Sequence, residues 1–286
     1  MIKNTATIIP IISLCVICVF FTAAADVLFF PEPGKTLSAE TMPYTQMLHT
    51  GTEDSTFYMR GRFGVDFSVI GYKFRNNIDN VVNGNDADDG SSPKILFGIN
   101  AAAHINMRPT SGMRFPVDNF YALLALNFSG VVNPALSWRF YPVHHVSAHL
   151  ADGSDEIKND IHAVSSEMAR GEVYYKPFGE ILEFGAGAGW YYHVCAQENL
   201  RARGDISILI TPNRLFNKRL QPYALLRAEN VYQGKNYFGI DMSAGVLSLN
   251  DKRGFGLSIR YFNRLHSSYY FEQYEKGWGV EYTFVY

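Results

Sequence analysis

His145, Ser147 and His149 recur at a spacing of two within the polar run from Tyr141 to Gly153. On a strand, residues two apart point to the same side with Cα atoms about 6.6 Å apart, so an imidazole can approach a hydroxyl. The pattern therefore offers His145 as a general base and Ser147 as a nucleophile. Asn159, twelve residues after Ser147, can orient the imidazole. That is the chemistry of acyl-ester hydrolysis. A metal site built from His144, His145, His149 and His162 competes with it. On a strand, however, His145 and His149 stand about 13 Å apart and His144 points the other way, so no metal and no cofactor is expected. A third reading makes the same residues the polar lining of an interior, paired with carboxylates such as Asp152 or Glu156.

Strict alternation would position these groups. By parity Arg139, Tyr141, His145, Ser147 and His149 share one strand face, and Leu136, Trp138, Phe140, Val146 and Leu150 share the other. An unbroken strand thus turns the His/Ser pair to the polar, inward side, whereas a bulge near Pro142 would reverse it.

Alternation pervades the chain. Phe57, Met59, Gly61, Phe63, Val65, Phe67 and Val69 are interleaved with Tyr58, Arg60, Arg62, Gly64, Asp66 and Ser68. Period two over such a stretch is a strand signal that no helix would produce. The same test predicts strands over 94–108, 119–128, 135–149, 166–176, 180–194, 204–211, 222–231, 236–248, 254–264 and 277–286. With one more expected near 44–49, the count is twelve. Many approach the ~10 residues that cross a membrane when tilted.

Composition narrows the class. Lys and Arg number 25 against 27 Asp and Glu, a formal net charge of −2. A nucleic-acid partner, which needs a basic excess, is not expected. Aromatic residues make up 15% of the chain and charged residues only 18%, which excludes intrinsic disorder. In residues 1–25, Lys3 is the sole charge, 8–21 is mostly apolar, and Ala23-Ala24-Ala25 precedes Asp26. This reads as a secretory signal cleaved before Asp26. Cys15 and Cys18 would leave with it, so Cys195 has no intrachain disulfide partner. No later apolar run is long enough for a transmembrane helix.

Together these observations predict an all-β protein, a transmembrane antiparallel up-and-down β-barrel of about twelve strands. Residues 26–56 form an N-terminal periplasmic segment with room for one strand, and 57–286 form the barrel. Arg60, Arg62, Asp66, Arg139, Arg227, Glu229 and Arg260 are expected to knit a charge network in the lumen. Gly185, Gly187 and Gly189, on one face, would relieve crowding inside it. Tyr269, Tyr270, Phe271 and Tyr274 suit an interfacial aromatic girdle. Counting back from the last strand puts 150–165 and 265–276 in outer loops, and 176–180, 249–253 and the long polar stretch 76–93 at the periplasmic end.

Three resemblances add to this. Tyr282, Phe284 and the final Tyr286, at alternate positions, resemble the C-terminal assembly signal of Gram-negative outer-membrane barrels. The likeness implies the barrel-insertion machinery as a partner during assembly. His145-Val146-Ser147 followed by Asn159 resembles outer-membrane phospholipase A, with a shorter H-x-S also found in lipid A deacylase barrels. It implies His145 as base, Ser147 as nucleophile and Asn159 as orienting group, although Ala148 stands where the phospholipase carries Asn. Finally, His145 to Asp152, taken with Arg260-Tyr261-Phe262-Asn263 and Gly277-Trp278-Gly279-Val280-Glu281-Tyr282, resembles an uncharacterised family of bacterial outer-membrane barrels. That family carries an H-x-S-S-H-L-G-D segment, and here Ala148 and Ala151 replace Ser and Gly.

The expectation is thus an outer-membrane barrel in contact with lipid, of open oligomeric state. Its leading role is a solute-passing or solute-binding barrel. The alternative is a lipid acyl hydrolase using His145 and Ser147.

Overall fold

The computed structural model describes residues 44–51, 57–73, 94–107, 117–150, 163–179, 181–195, 199–212, 220–250, 253–265 and 274–285. Their strands are β1 (Tyr44–Gly51), β2 (Phe57–Lys73), β3 (Lys94–Met107), β4 (Val117–Asn133), β5 (Leu136–Leu150), β6 (Ala163–Tyr175), β7 (Leu182–Cys195), β8 (Leu200–Ile210), β9 (Leu220–Gln233), β10 (Lys235–Asn250), β11 (Arg253–Leu265) and β12 (Tyr274–Val285). Each pairs antiparallel with the next in sequence, the up-and-down meander that alternation predicts. β1 is hydrogen-bonded to β12 on one side and to β2 on the other.

The two faces of this sheet invert the usual polarity. Large apolar side chains point outward and stay exposed: Phe238 is 70% accessible, Ile259 65% and Ile206 63%. Polar and charged residues point inward and are buried, among them Asn100, Asn127, Arg170, Asp241 and Glu281. A barrel immersed in water would expose the second set and bury the first. A barrel in lipid satisfies its backbone groups within the sheet and turns apolar residues to the hydrocarbon.

Inside, two kinds of packing fill the described lumen. Along β3 and β4, Asn106 Nδ2 donates to Asn119 Oδ1 at 2.9 Å, Asn127 donates to Asn100, and His104 lies 4.0 Å from the Tyr121 ring. Beside them Ala102, Leu123, Ala125, Val146, Ala148 and Val164 form an inward apolar cluster. From β6 to β12 the interior is held by ion pairs together with two small apolar clusters, one of Leu209, Tyr223 and Leu247 and one of Leu200, Val231 and Tyr237.

At the end of the barrel where β12 finishes, the β4–β5 and β6–β7 turns are short. Asn133 Oδ1 accepts from the Ala135 N–H at 2.9 Å, and Gly179 takes a left-handed φ of 63° in the β6–β7 turn. At the opposite end Gly234, φ 70°, joins β9 to β10 with its N–H donated to the Asn199 carbonyl at 3.1 Å. The predicted leader 1–25, the stretch 76–93, and the girdle residues Tyr269, Tyr270 and Phe271 lie outside the described residues.

Candidate functional site: an outward serine–histidine cluster

β5 carries one residue more than its neighbours. Against β4 the ladder passes from Leu126↔Val143 to Phe128↔Phe140, and against β6 from His144↔Met168 to Tyr141↔Arg170. The extra residue falls at Pro142–Val143. Proline has no N–H to give the ladder, so a bulge there costs less than an interrupted regular strand. The consequence is a reversal of parity. Before the bulge Tyr141 is buried inward, and after it His144, Val146 and Ala148 take the inward, buried positions.

His145, Ser147 and His149 therefore face out. This corrects the expectation from unbroken alternation, which grouped them with Arg139 and Tyr141 on the inward face and put Val146 with Trp138 and Phe140. The register agrees: His145 lies beside Leu124, and His149 beside Phe120, both exposed on the outer wall of β4.

Within this row Ser147 Oγ is 3.2 Å from His149 Nε2, the imidazole two residues after it. The imidazole two residues before, His145, is turned to β6, where its Nδ1 lies 3.3 Å from Glu167 Oε1. Both members of that pair are about one third exposed, at 36% and 34%. Asn159 lies outside the described residues, as do His162, Asp152 and Glu156. Glu167 was not picked out by sequence pattern, since a cross-strand partner has no fixed spacing along the chain. β7 supplies a second bulge at Tyr192, between Met168↔Tyr191 and Glu167↔His193. Both Tyr192 and His193 are consequently exposed beside Glu167. The cluster sits near the C-terminal end of β5, the end remote from the C-terminal end of β12. Among the described residues no three of His, Cys, Asp and Glu gather closely enough to hold a metal ion.

The lumenal charges form a separate assembly. Arg260 Nη1 lies 2.6 Å from Glu281 Oε2, and the same guanidinium is paired with Asp241. Arg203 Nη2 binds Glu229 Oε2 at 2.9 Å. Arg227 Nε is 3.3 Å from Asp205, which is also paired with Arg170. Arg170 Nε in turn holds Glu172 at 2.9 Å, and the Tyr174 hydroxyl donates to Glu172 at 2.8 Å. A water-sized hollow of about 20 Å³ lies between these groups. Arg139 donates to the Tyr141 hydroxyl at 3.0 Å. Of the charges singled out by sequence, Arg139, Arg227, Glu229 and Arg260 are thus inward and bonded. Arg60, Arg62 and Asp66 occupy β2 positions opposite Asn106, His104 and Asn100, their side chains lying outside the description. Arg170, Glu172, Arg203, Asp205, Asp241 and Glu281 were missed as partners, although their strand parity already put each on an inward row. At the C-terminal strand, Tyr282 packs 6.3 Å from Phe255. The Phe284 side chain and Tyr286 fall outside the description.

No family model matches the chain, and no curated protein matches it in sequence. Solved structures do match. Outer membrane phospholipase A from Escherichia coli superposes with a TM-score of 0.53 at 10% identity, over 90% of this chain and 94% of that one. The β domain of the Bordetella autotransporter BrkA does so with a TM-score of 0.50 at 11% identity, over 85% and 96%. At such identities the likeness is one of fold, and the fold this chain shares is that of bacterial outer-membrane β-barrels.

Proposed function

We propose that this protein is an outer-membrane barrel, closed through β1 and exported by its leader, that hydrolyses acyl esters of membrane lipid at Ser147. One observation carries the reading: Ser147 Oγ hydrogen-bonds an imidazole on the outward wall of the barrel, 3.2 Å from His149 Nε2, rather than in the lumen. A lipid diffusing in the membrane reaches that wall directly. With its ester carbonyl at the serine, its chains would run toward the middle of the wall along exposed Leu124 and Phe128.

The chemistry follows from these groups. Ser147 Oγ attacks the ester carbonyl carbon as an adjacent imidazole takes the hydroxyl proton. The tetrahedral intermediate collapses, the imidazolium returns the proton to the departing alkoxide, and water releases the fatty acid by the reverse sequence. The name of the E. coli neighbour describes a phospholipase activity for that protein, and what this chain shares with it is the fold. A solute-passing or solute-binding barrel is the second reading, supported by the charges that line the described lumen wall, where Arg260, Arg170, Arg203 and Arg227 pair with carboxylates of adjacent or next-but-one strands.

Full-length protein, exported, extracted in detergent and shown to be folded by a heat-modifiable gel shift, is assayed for fatty acid release from phospholipid vesicles and from lipid A, with and without calcium. Loss of at least about 10³-fold in Ser147→Ala, with the gel shift intact, is the expected result. Equal rates in the two proteins, or no hydrolysis by folded wild type, would overturn the reading and move the question to single-channel conductance.

A further inference from the structure

Two imidazoles flank Ser147, and they differ in what lies behind them. His149 is bonded to Ser147 Oγ, and among the described residues it meets no carboxylate. His145 has one: Glu167 is its direct Cα partner across the β5–β6 ladder, with Oε1 3.3 Å from Nδ1. The two extra residues in this part of the wall bracket that pair, one at Pro142–Val143 in β5 and one at Tyr192 in β7. Bulges of this kind re-aim side chains and gather beside active sites. Here the first turns His145 outward, and the second brings His193, the β7 neighbour of Glu167, to the same face.

We propose that Glu167 is the positioning residue that makes His145, rather than His149, the proton acceptor for Ser147; the inference rests on the hydrolase reading above. A carboxylate at Nδ1 holds the proton on that nitrogen and leaves the lone pair on Nε2, the form a base requires. It also stabilises the imidazolium once the Ser147 proton arrives, an effect magnified where one side of the site is hydrocarbon. His149 then serves as a donor: its Nε2–H holds the Ser147 oxygen, and the hydroxyl proton turns toward His145 by rotation about the Cβ–Oγ bond. In the reaction Oγ bonds to the carbonyl carbon, the carbonyl π pair moves to oxygen, and the proton passes to His145 Nε2. When the alkoxide leaves, it takes that same proton. The carboxylate of Glu167 neither gains nor loses one.

The test compares Glu167→Gln, Glu167→Asp, His145→Gln, His149→Gln and the double variant His145→Gln/Glu167→Gln in folded, detergent-extracted protein. The measurements are kcat and KM for fatty acid release and the rate of Ser147 labelling by a fluorophosphonate. Glu167→Gln is expected to lower kcat about 10²- to 10⁴-fold with KM and the heat-induced gel shift unchanged. Glu167→Asp should recover part of the loss, His149→Gln should fall less than about tenfold, and the double variant should be no worse than His145→Gln alone. The inference is overturned by wild-type rates in Glu167→Gln, by additive losses in the double variant, or by His149→Gln matching Ser147→Ala. Wild-type protein that neither releases fatty acid nor labels at Ser147 overturns the hydrolase reading with it. Active wild type with an indifferent Glu167→Gln overturns this inference alone.

Discussion

The Arg170 guanidinium lies against the backbone of Gly187, one strand away, in the space a side chain would fill. A Cβ built on Gly187 would stand 2.5 Å from Arg170 Nη2 and 3.2 Å from Asp205 Oδ1. The glycine row of β7 is therefore the bed on which the Arg170–Asp205 pair rests. Arg170 cannot swing aside cheaply, because it is also bound to Glu172. Gly187→Val is expected to destabilise the folded barrel by about 2 kcal/mol. A lowered urea midpoint for loss of the heat-modifiable form would show it, and an unchanged midpoint would mean the pair is not seated there.

Arg260 ties three strands together, from Asp241 on β10 to Glu281 on β12. Both carboxylates are buried, 8% and 5% accessible. Removing the cation leaves them facing each other without compensation. Arg260→Ala should cost about 3 kcal/mol, whereas the triple change that also neutralises Asp241 and Glu281 to Asn and Gln should recover much of it. Urea titration of the two proteins checks this, and an equal loss in both would contradict the account.

The Pro142 bulge predicts which neighbours meet lipid. In a Cys195→Ala background, needed because Cys195 is exposed, Ser147→Cys should react with a bilayer-dissolved maleimide. Val146→Cys, buried inward, should be protected. Deleting Val143, which removes the extra residue and restores plain alternation beyond Pro142, should exchange the two patterns.

The closure proposed through β1 makes a distance prediction. Met47 is paired with Glu281, and Leu48 with Val280. In the same Cys195→Ala background, Met47→Cys with Glu281→Cys should be joined by a short bifunctional thiol reagent. The product should run as a cross-linked species after boiling. Failure to join in folded protein would argue that β1 does not sit against β12.

Much of the fold was legible because a membrane barrel writes its geometry residue by residue. Many strands from Phe57 onward set large apolar residues at every second position, because lipid contact asks for them there over long stretches. The inward charges Arg227, Glu229 and Arg260 could be picked out by parity alone. Their partners could not be paired, since nothing local ties Arg260 to Asp241 and Glu281, nineteen and twenty-one residues away.

The candidate site was half legible. The types and spacing of His145, Ser147 and His149 come from one short segment, as does the presence of Pro142. The side of the wall they occupy depends on whether the strand absorbs one extra residue, and a single slip exchanges every side chain after it between faces. That outcome is settled by the ladders on both sides of β5, not by β5 itself. Glu167 enters for the same reason: its place opposite His145 is a matter of register. By itself the sequence determined an alternating chain of membrane-spanning strands and the chemical groups each would carry. Only the tertiary structure decided that the serine and its two imidazoles face out while their immediate neighbours face in, because facing is a property of strand pairing rather than of any residue's own preference.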